Sequence, residues 1–416
     1  MDIEPAVDEP TPDQPGTPWL GWVMAGVIPL AAGAHAFGYY ASRSGIAQRA
    51  VSELGMAHSD VSLLYSGAAA AGAAGVVGGL LLGALLGPLP VAALGLVVYA
   101  FAAAGQSGAS SGAALATTFA LASFGAGLYR PAVLYAVLRP FGRGGESMRT
   151  AGAAAMYGMT NLAAIPGPFI ANGLQNMLGS VVSAGVGALS AVLSGAVGMV
   201  MLALLGTTFM PAWGSSAWDD RSLEGRGLAW SAGTVVVAAL GLGVWSFGGD
   251  QFWNATIEAG VSQMAMTVNP LVVSCTALVV VIGHVIAAVF SVEIPALMVS
   301  GVGFLLLGAS LAPTAVMPLD STAAFVAATS VGGVGEVLAW SGAFSRAAGG
   351  NHYRVAMVAV GLLTLSSSAS SLFGRLPGLS DIPPDMSAYV ASGCGVVVTL
   401  VGVALLVGGF LGRDKA

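Results

Sequence analysis

Long apolar runs broken by short polar intervals recur along almost the whole chain. Eighteen or more apolar residues suffice to cross a bilayer core as a helix, whereas a barrel strand needs only about ten alternating residues. The pattern therefore predicts about twelve spanning helices, centred near residues 30, 72, 97, 125, 161, 194, 241, 280, 303, 332, 363 and 399. Most connections are short. The longest polar interval, 211-PAWGSSAWDDRSLEGRG-227, falls at the midpoint and divides the spans into two sets of six. We expect an all-α membrane protein, twelve transmembrane helices in two six-helix halves. Its parts are a tail over 1–18, a first half over 19–206, a central cytoplasmic loop over 207–228 and a second half over 229–412. No sequence repeat links the halves, but such symmetry is often invisible at sequence level.

Composition supports the same picture. The 416 residues are 56% hydrophobic and only 8% charged, with a mean hydropathy of +0.85. Soluble domains carry about 25% charged residues, so this chain lacks the polar surface to cover itself in water. Lipid is the expected surrounding, and no nucleic-acid partner is expected. The 61 glycines are about double the usual frequency and read as close helix packing. Five acids lie within the first thirteen residues, in a Pro-rich stretch without a basic n-region, so the N-terminus reads as a disordered tail rather than a signal peptide. Cys275 and Cys394 lie in apolar segments without metal-ligand spacing and read as small packing residues. No metal or cofactor is implied.

Basic residues set the orientation. With the N-terminus inside, cytoplasmic segments hold Arg139, Arg143, Arg149, Arg221, Arg226, Arg346, Arg354, Arg413 and Lys415, nine of the thirteen cations. Outside segments hold Arg43, Arg49 and Arg375, and Arg130 stays within a span. Both termini are expected on the cytoplasmic side of a plasma (inner) membrane.

The informative residues are the ionisable ones placed among apolar neighbours. They are His35 and Arg43 on the first span, Arg130 on the fourth, Asp250 on the seventh, His284 on the eighth and Glu336 on the tenth. An Arg or Asp at a helix centre costs roughly 2.5–3.5 kcal/mol, so it belongs in a water-filled cavity or beside a partner. Arg130 and Asp250 are expected to approach each other across the halves. A histidine either sits neutral with one ring nitrogen on a carbonyl or carries a proton, since its reference pKa lies in the physiological range. Asn161, Gln251 and Asn269 are further polar residues in apolar segments, and Asn269-Pro270 reads as the start of a helix. Tyr39, Tyr40 and Tyr65 fit either membrane-interface anchors or cavity walls.

Four stretches resemble the proton-dependent oligopeptide transporter (POT) family of the major facilitator superfamily. "AFGYYASR" (36–43) is similar to the end of the pattern ExxERFxYYGxR. The stretch 125–174, "GAGLYRPAVLYAVLRPFGRGGESMRTAGAAAMYGMTNLAAIPGPFIANGL", resembles a GxGxxKP element, a basic loop and AGFxxFYxxxNxGxxxxP. "WSFGGDQFWNATIEAGVSQMAMTVNPLVV" (245–273) is similar to a seventh-helix aromatic–acid–Gln stretch followed by an NP element. "GEVLAWSGAFSRAAGGNHYRVAMVAV" (335–360) resembles the tenth-helix EVL element and the basic loop after it.

The resemblance implies roles. Glu336 would meet a peptide's amino terminus, and Asn161 and Asn269 would hold its polar ends. Arg130 takes the place of the lysine that binds the peptide carboxylate, with Asp250 about where its acidic partner belongs. Tyr39, Tyr40, Arg43 and Tyr65 match cavity-lining positions. The chain departs from the pattern in the first helix, where 32-AGAHA-36 replaces ExxER: Ala32 and His35 stand for the glutamates and Ala36 for the arginine. Arg130 also cannot itself release a proton, and the loop "LLGALLGPLP" lacks the superfamily's charges.

The implied function is a monomeric secondary transporter of di- and tripeptides or similar zwitterions. Coupling to protons would run through Glu336, Asp250 or His35, with Arg130 beside them in the coupling and gating set. Two alternatives are an uncoupled transporter of another small organic solute and a receptor-like protein that binds without flux. An intramembrane hydrolase has little to stand on, because the serines of "GASSG" (108–112) fall at an expected turn with no histidine beside them by spacing.

Overall fold

The computed structural model describes residues 29–41 apart from 31, then 46, 49–141, 145–167, 169, 170, 173, 177, 225–256, 262–290, 292–318, 321–349, 353–373 and 382–413. Among these residues the structure is helical, with no strand. A short helical segment α1 (29–41) precedes α2 (His58–Leu86), α3 (Pro88–Ser107), α4 (Gly112–Phe141) and α5 (Gly145–Ala164). After the midpoint come α6 (Gly225–Thr256), α7 (Ser262–Val289), α8 (Ala296–Leu311), α9 (Thr322–Ala348), α10 (Tyr353–Phe373) and α11 (Pro384–Arg413). Eight helices among the described residues are long and apolar enough to cross a membrane. The tail 1–18, the span expected near 194 and most of the central loop lie outside the described residues.

Local chemistry ends the helices where the sequence breaks. Gly87 adopts φ 89°, a conformation other residues rarely take, and Pro88 opens α3 directly behind it. Ser321 caps α9 by accepting a hydrogen bond from the Ala324 amide. "GASSG" is the turn between α3 and α4, with the Ser111 hydroxyl accepting from the Ala114 amide.

The halves are visible in how the helices pack. In the first, α4 lies against both α2 and α3; in the second, α9 lies against both α8 and α7. One contact recurs almost atom for atom. A methyl carbon on Gly125 would lie 2.8 Å from the Gly95 carbonyl oxygen and 2.5 Å from the Tyr99 amide nitrogen. One on Gly335 would lie 2.8 Å from the Gly303 carbonyl oxygen and 2.7 Å from the Leu307 amide nitrogen. Each glycine lets the backbones of α3 and α4, or of α8 and α9, touch where lipid offers no hydrophobic drive to hold them. The halves join along two seams, α2 on α10 and α5 on α7, with α9 also against α5. Counting spans, the second meets the eleventh and the fifth meets the eighth, so a two-fold operation relating the halves exchanges the seams.

Large apolar side chains such as Leu85, Phe101, Leu240 and Val279 point outward, as lipid-facing positions do. Cys275 belongs with them. It is exposed on α7 rather than packed inside, because in a membrane an apolar neighbourhood does not distinguish the lipid face from the core. A second correction concerns Asn269-Pro270. Pro270 lies inside α7, eight residues after its start, rather than at a helix N-terminus. The preceding Ser262–Asn269 stretch extends the helix, and the missing proline N–H is a loss that neighbouring helices and Ser/Thr side chains in a membrane can offset. Separately, the Ser274 hydroxyl donates to the Pro270 carbonyl one turn back at 2.7 Å.

Candidate functional site

A cavity of about 940 Å³ lies between the halves. The first half contributes His35, Tyr39 and Tyr40 from α1, Tyr65 from α2, Tyr129 and Arg130 from α4, and Tyr157 and Asn161 from α5. The second contributes Trp245 and Phe252 from α6, Ser310 from α8, Glu336, Trp340 and Phe344 from α9, and Thr364 and Ser368 from α10. Seven of the sequence-selected residues thus meet in one space: His35, Tyr39, Tyr40, Tyr65, Arg130, Asn161 and Glu336. The tyrosines are cavity walls rather than interface anchors. Asn269 lies on α7 just before the lining Pro270, but its side chain is outside the described residues, as is Arg43. Asp250 is half-buried on α6, between the lining residues Gly249 and Phe252.

The charged groups arrive from opposite sides. Arg130 holds its guanidinium carbon 5.9 Å from the centroid of the Tyr39 ring, a cation–π distance. Glu336 accepts a hydrogen bond from the Tyr157 hydroxyl across the interface between halves. The Tyr157 ring stacks on Trp340 at 5.8 Å, and Trp340 stacks on Phe344 at 4.9 Å, so an aromatic slab forms the wall beside the carboxylate. The Asn161 amide donates to the Tyr157 carbonyl at 3.0 Å, one turn back on α5.

The two intramembrane histidines separate. His284 holds its Nδ1 2.9 Å from the Val280 carbonyl of its own helix. His35 is 7% exposed and lines the cavity, wedged between Tyr99 at 4.3 Å and Tyr129 at 4.9 Å between ring centroids. Ala32 and Ala36 flank it on the same wall. Among the described residues, no group of three or more His, Cys, Asp or Glu side chains converges as a metal site would require.

With this geometry, comparison with solved structures is decisive for the fold. A POT family transporter in complex with 5-aminolevulinic acid superposes with a TM-score of 0.63 at 17% identity, covering 92% of this chain and 95% of that one. One in complex with a thioalcohol-conjugated peptide gives 0.62 at 16%, covering 92% and 95%. A peptide transporter POT in complex with sulfate gives 0.61 at 16%, covering 92% and 94%. The chain has the POT transporter fold. No protein-family model matches the sequence, and no curated protein matches it. The shared architecture is therefore carried at a sequence identity where only the fold follows from the likeness.

Residue reading missed Tyr157 and Trp340. Both sit in otherwise apolar runs, where an aromatic residue reads as core. The available signal was spacing: Tyr157 precedes Asn161 by one helical turn, and Trp340 follows Glu336 by one turn, so each shares a face with a selected polar residue.

Proposed function

We propose that the protein is a secondary transporter of small peptides or similar zwitterionic solutes, a diverged POT-like member of the major facilitator superfamily, coupled to protons and working by alternating access. One observation carries this reading: a single cavity receives a guanidinium from one half, Arg130, and a carboxylate from the other, Glu336. A zwitterion offers the complementary pair to the exposed Arg130 and the half-buried Glu336. Glu336 takes the amine, displacing the Tyr157 hydroxyl, and Arg130 takes the carboxylate. Asp250 balances Arg130 before substrate enters. Tyr39, Tyr40, Arg43, Tyr65, Asn161 and Asn269 hold the remaining polar groups. His35, buried between two tyrosines on the cavity wall, is the proposed proton-carrying group. The ligands in the similar structures, 5-aminolevulinic acid and a conjugated peptide, support a solute of this size and kind. The protein acts as a monomer in the plasma (inner) membrane, with both termini and the 207–228 loop cytoplasmic.

Uptake of a dipeptide pool into proteoliposomes at two internal pH values tests the proposal. Accumulation that rises with an alkaline interior is expected. Absence of both uptake and counterflow, with binding retained, would favour the receptor-like reading. Uptake without pH dependence would favour an uncoupled transporter, which the uncharged Ala32 and Ala36 on the cavity wall support.

A further inference from the structure

The contacts between halves collect at one end of the molecule. Ser147, in the first turn of α5, accepts from the Ile294 amide at 3.0 Å and donates to the Val292 carbonyl at 3.4 Å. Ser345 donates to the Glu146 carbonyl at 3.2 Å, and Arg346 lies 3.9 Å from the Glu146 carboxylate. Arg149 is within electrostatic reach of Glu146, Glu293 and Arg346. On the other seam, Leu80 and Gly83 of α2 meet Gly361 and Met357 of α10. The cavity, by contrast, extends to the far ends of the same helices: Tyr65 near the start of α2, Ala328 near the start of α9, Leu311 at the end of α8. The structure is thus closed where α5 begins and reaches toward the end where α9 begins.

Two of these ties join the same pair of helices. Glu146 and Tyr157 are eleven residues apart on α5; their partners Ser345 and Glu336 are nine apart on α9, in the reverse order. That is the register of antiparallel helices, with the ties about 15 Å apart at 1.5 Å per residue. We propose that α5 and α9 form a two-rung ladder in which a cation that takes Glu336 from Tyr157 breaks the inner rung and leaves α5 tied to α9 by the outer rung alone. Binding in the cavity then lowers the cost of opening the opposite end, because a ligand shifts a conformational equilibrium by its differential affinity for the two states. The displacement step rests on the proposed role of Glu336; the ladder rests on the contacts.

The test uses full-length protein carrying Cys275→Ser and Cys394→Ser, with spin labels on Leu86→Cys and Val358→Cys, which flank the α2–α10 seam. Pulsed electron resonance should give one short distance in this parent, and that peak also reports correct packing in each variant. Tyr157→Phe keeps the stacked ring and removes the inner hydroxyl. It should enlarge the long-distance population by about two- to tenfold, the range of one net hydrogen bond. Ser345→Ala with Arg346→Gln should do likewise at the outer rung, and the triple variant should give roughly the product. Alanine methyl ester, a cation without a carboxylate, should enlarge the same population in the parent and leave Tyr157→Phe unmoved. An unchanged distance distribution in Tyr157→Phe overturns the ladder, as does a triple variant no more open than the outer variant. A parent that ignores the ester while Tyr157→Phe opens overturns the displacement step. The variants need no substrate, so failed peptide uptake would overturn the proposed function and leave the ladder standing.

Discussion

The two halves share a scaffold and differ in chemistry. Gly125 on Gly95 and Gly335 on Gly303 are the same backbone contact made twice, and the two seams exchange under the same two-fold operation. Yet one half presents Arg130, His35 and a set of tyrosines to the cavity, and the other presents Glu336 beside stacked Trp340 and Phe344. The seams differ in part: α2–α10 closes on Leu80, Gly83, Met357 and Gly361, while α5 adds hydroxyl and charged ties to an apolar contact of Ala154 and Gly158 with Val273 and Ala277. Backbone packing tolerates symmetry because both halves must solve the same problem in lipid. The proposed zwitterion has two unlike ends, and a site for it cannot be symmetric.

The largest expected effect comes from breaking the charge balance between halves. On the proposed pairing of half-buried Asp250 with Arg130, Asp250→Ala should lower thermal stability in detergent more than the double change with Arg130→Ala. Equal losses would remove the pairing from the comparison. Next, Glu336→Gln should reduce uptake of free-amine substrates about a hundredfold, as a lost charge-assisted hydrogen bond implies, and spare amine-blocked ones; Arg130→Gln should show the reverse preference for free and esterified carboxylates. Flux measured with the four substrate forms decides this, and a uniform loss would make both residues structural.

Symmetry itself is testable at smaller cost. Gly125→Ala and Gly335→Ala each force a methyl against backbone and should destabilise by about 1–3 kcal/mol, by similar amounts in the same melt. A large difference would mean that the repeated contact is not equally important to the two halves. His35→Gln should leave binding intact and flatten the pH dependence of flux near neutrality, and an unchanged profile would pass that role to Glu336 or Asp250. The smallest effect belongs to Gly83→Ala, whose added methyl meets the flexible end of the Met357 side chain rather than backbone; melting should shift by about 1 kcal/mol's worth, at the low end of the cost of overpacking.

Much of this was legible in the residues. Apolar run length announced the helices, and the cost of intramembrane charge singled out Arg130 and Glu336 before their shared cavity was known. What escaped has physical reasons. The internal two-fold is written in which backbones touch, and glycine is too frequent here for particular contacts to stand out. Cys275 faces outward because lipid and core are both apolar. Pro270 reads as a helix start in water but is accommodated within a membrane helix. Tyr157 is polar only at its hydroxyl, and the importance of that hydroxyl depends on a carboxylate 179 positions away in the chain.

Arg49 is buried at the far end of the first half, donating to the carbonyls of Gln106, Ser107 and Ala109 and pairing with Glu53 at 3.3 Å. One guanidinium thus clamps the chain before α2 to the end of α3 and the turn into α4. Mechanically this makes the corner a fulcrum and α4, 30 residues long, a stiff arm of about 45 Å. A tilt of about ten degrees around such a pivot carries the arm's other end about 8 Å, by the same length estimate. A side chain that never touches the cavity can in this way set how far a passage opens for a given turn of the half.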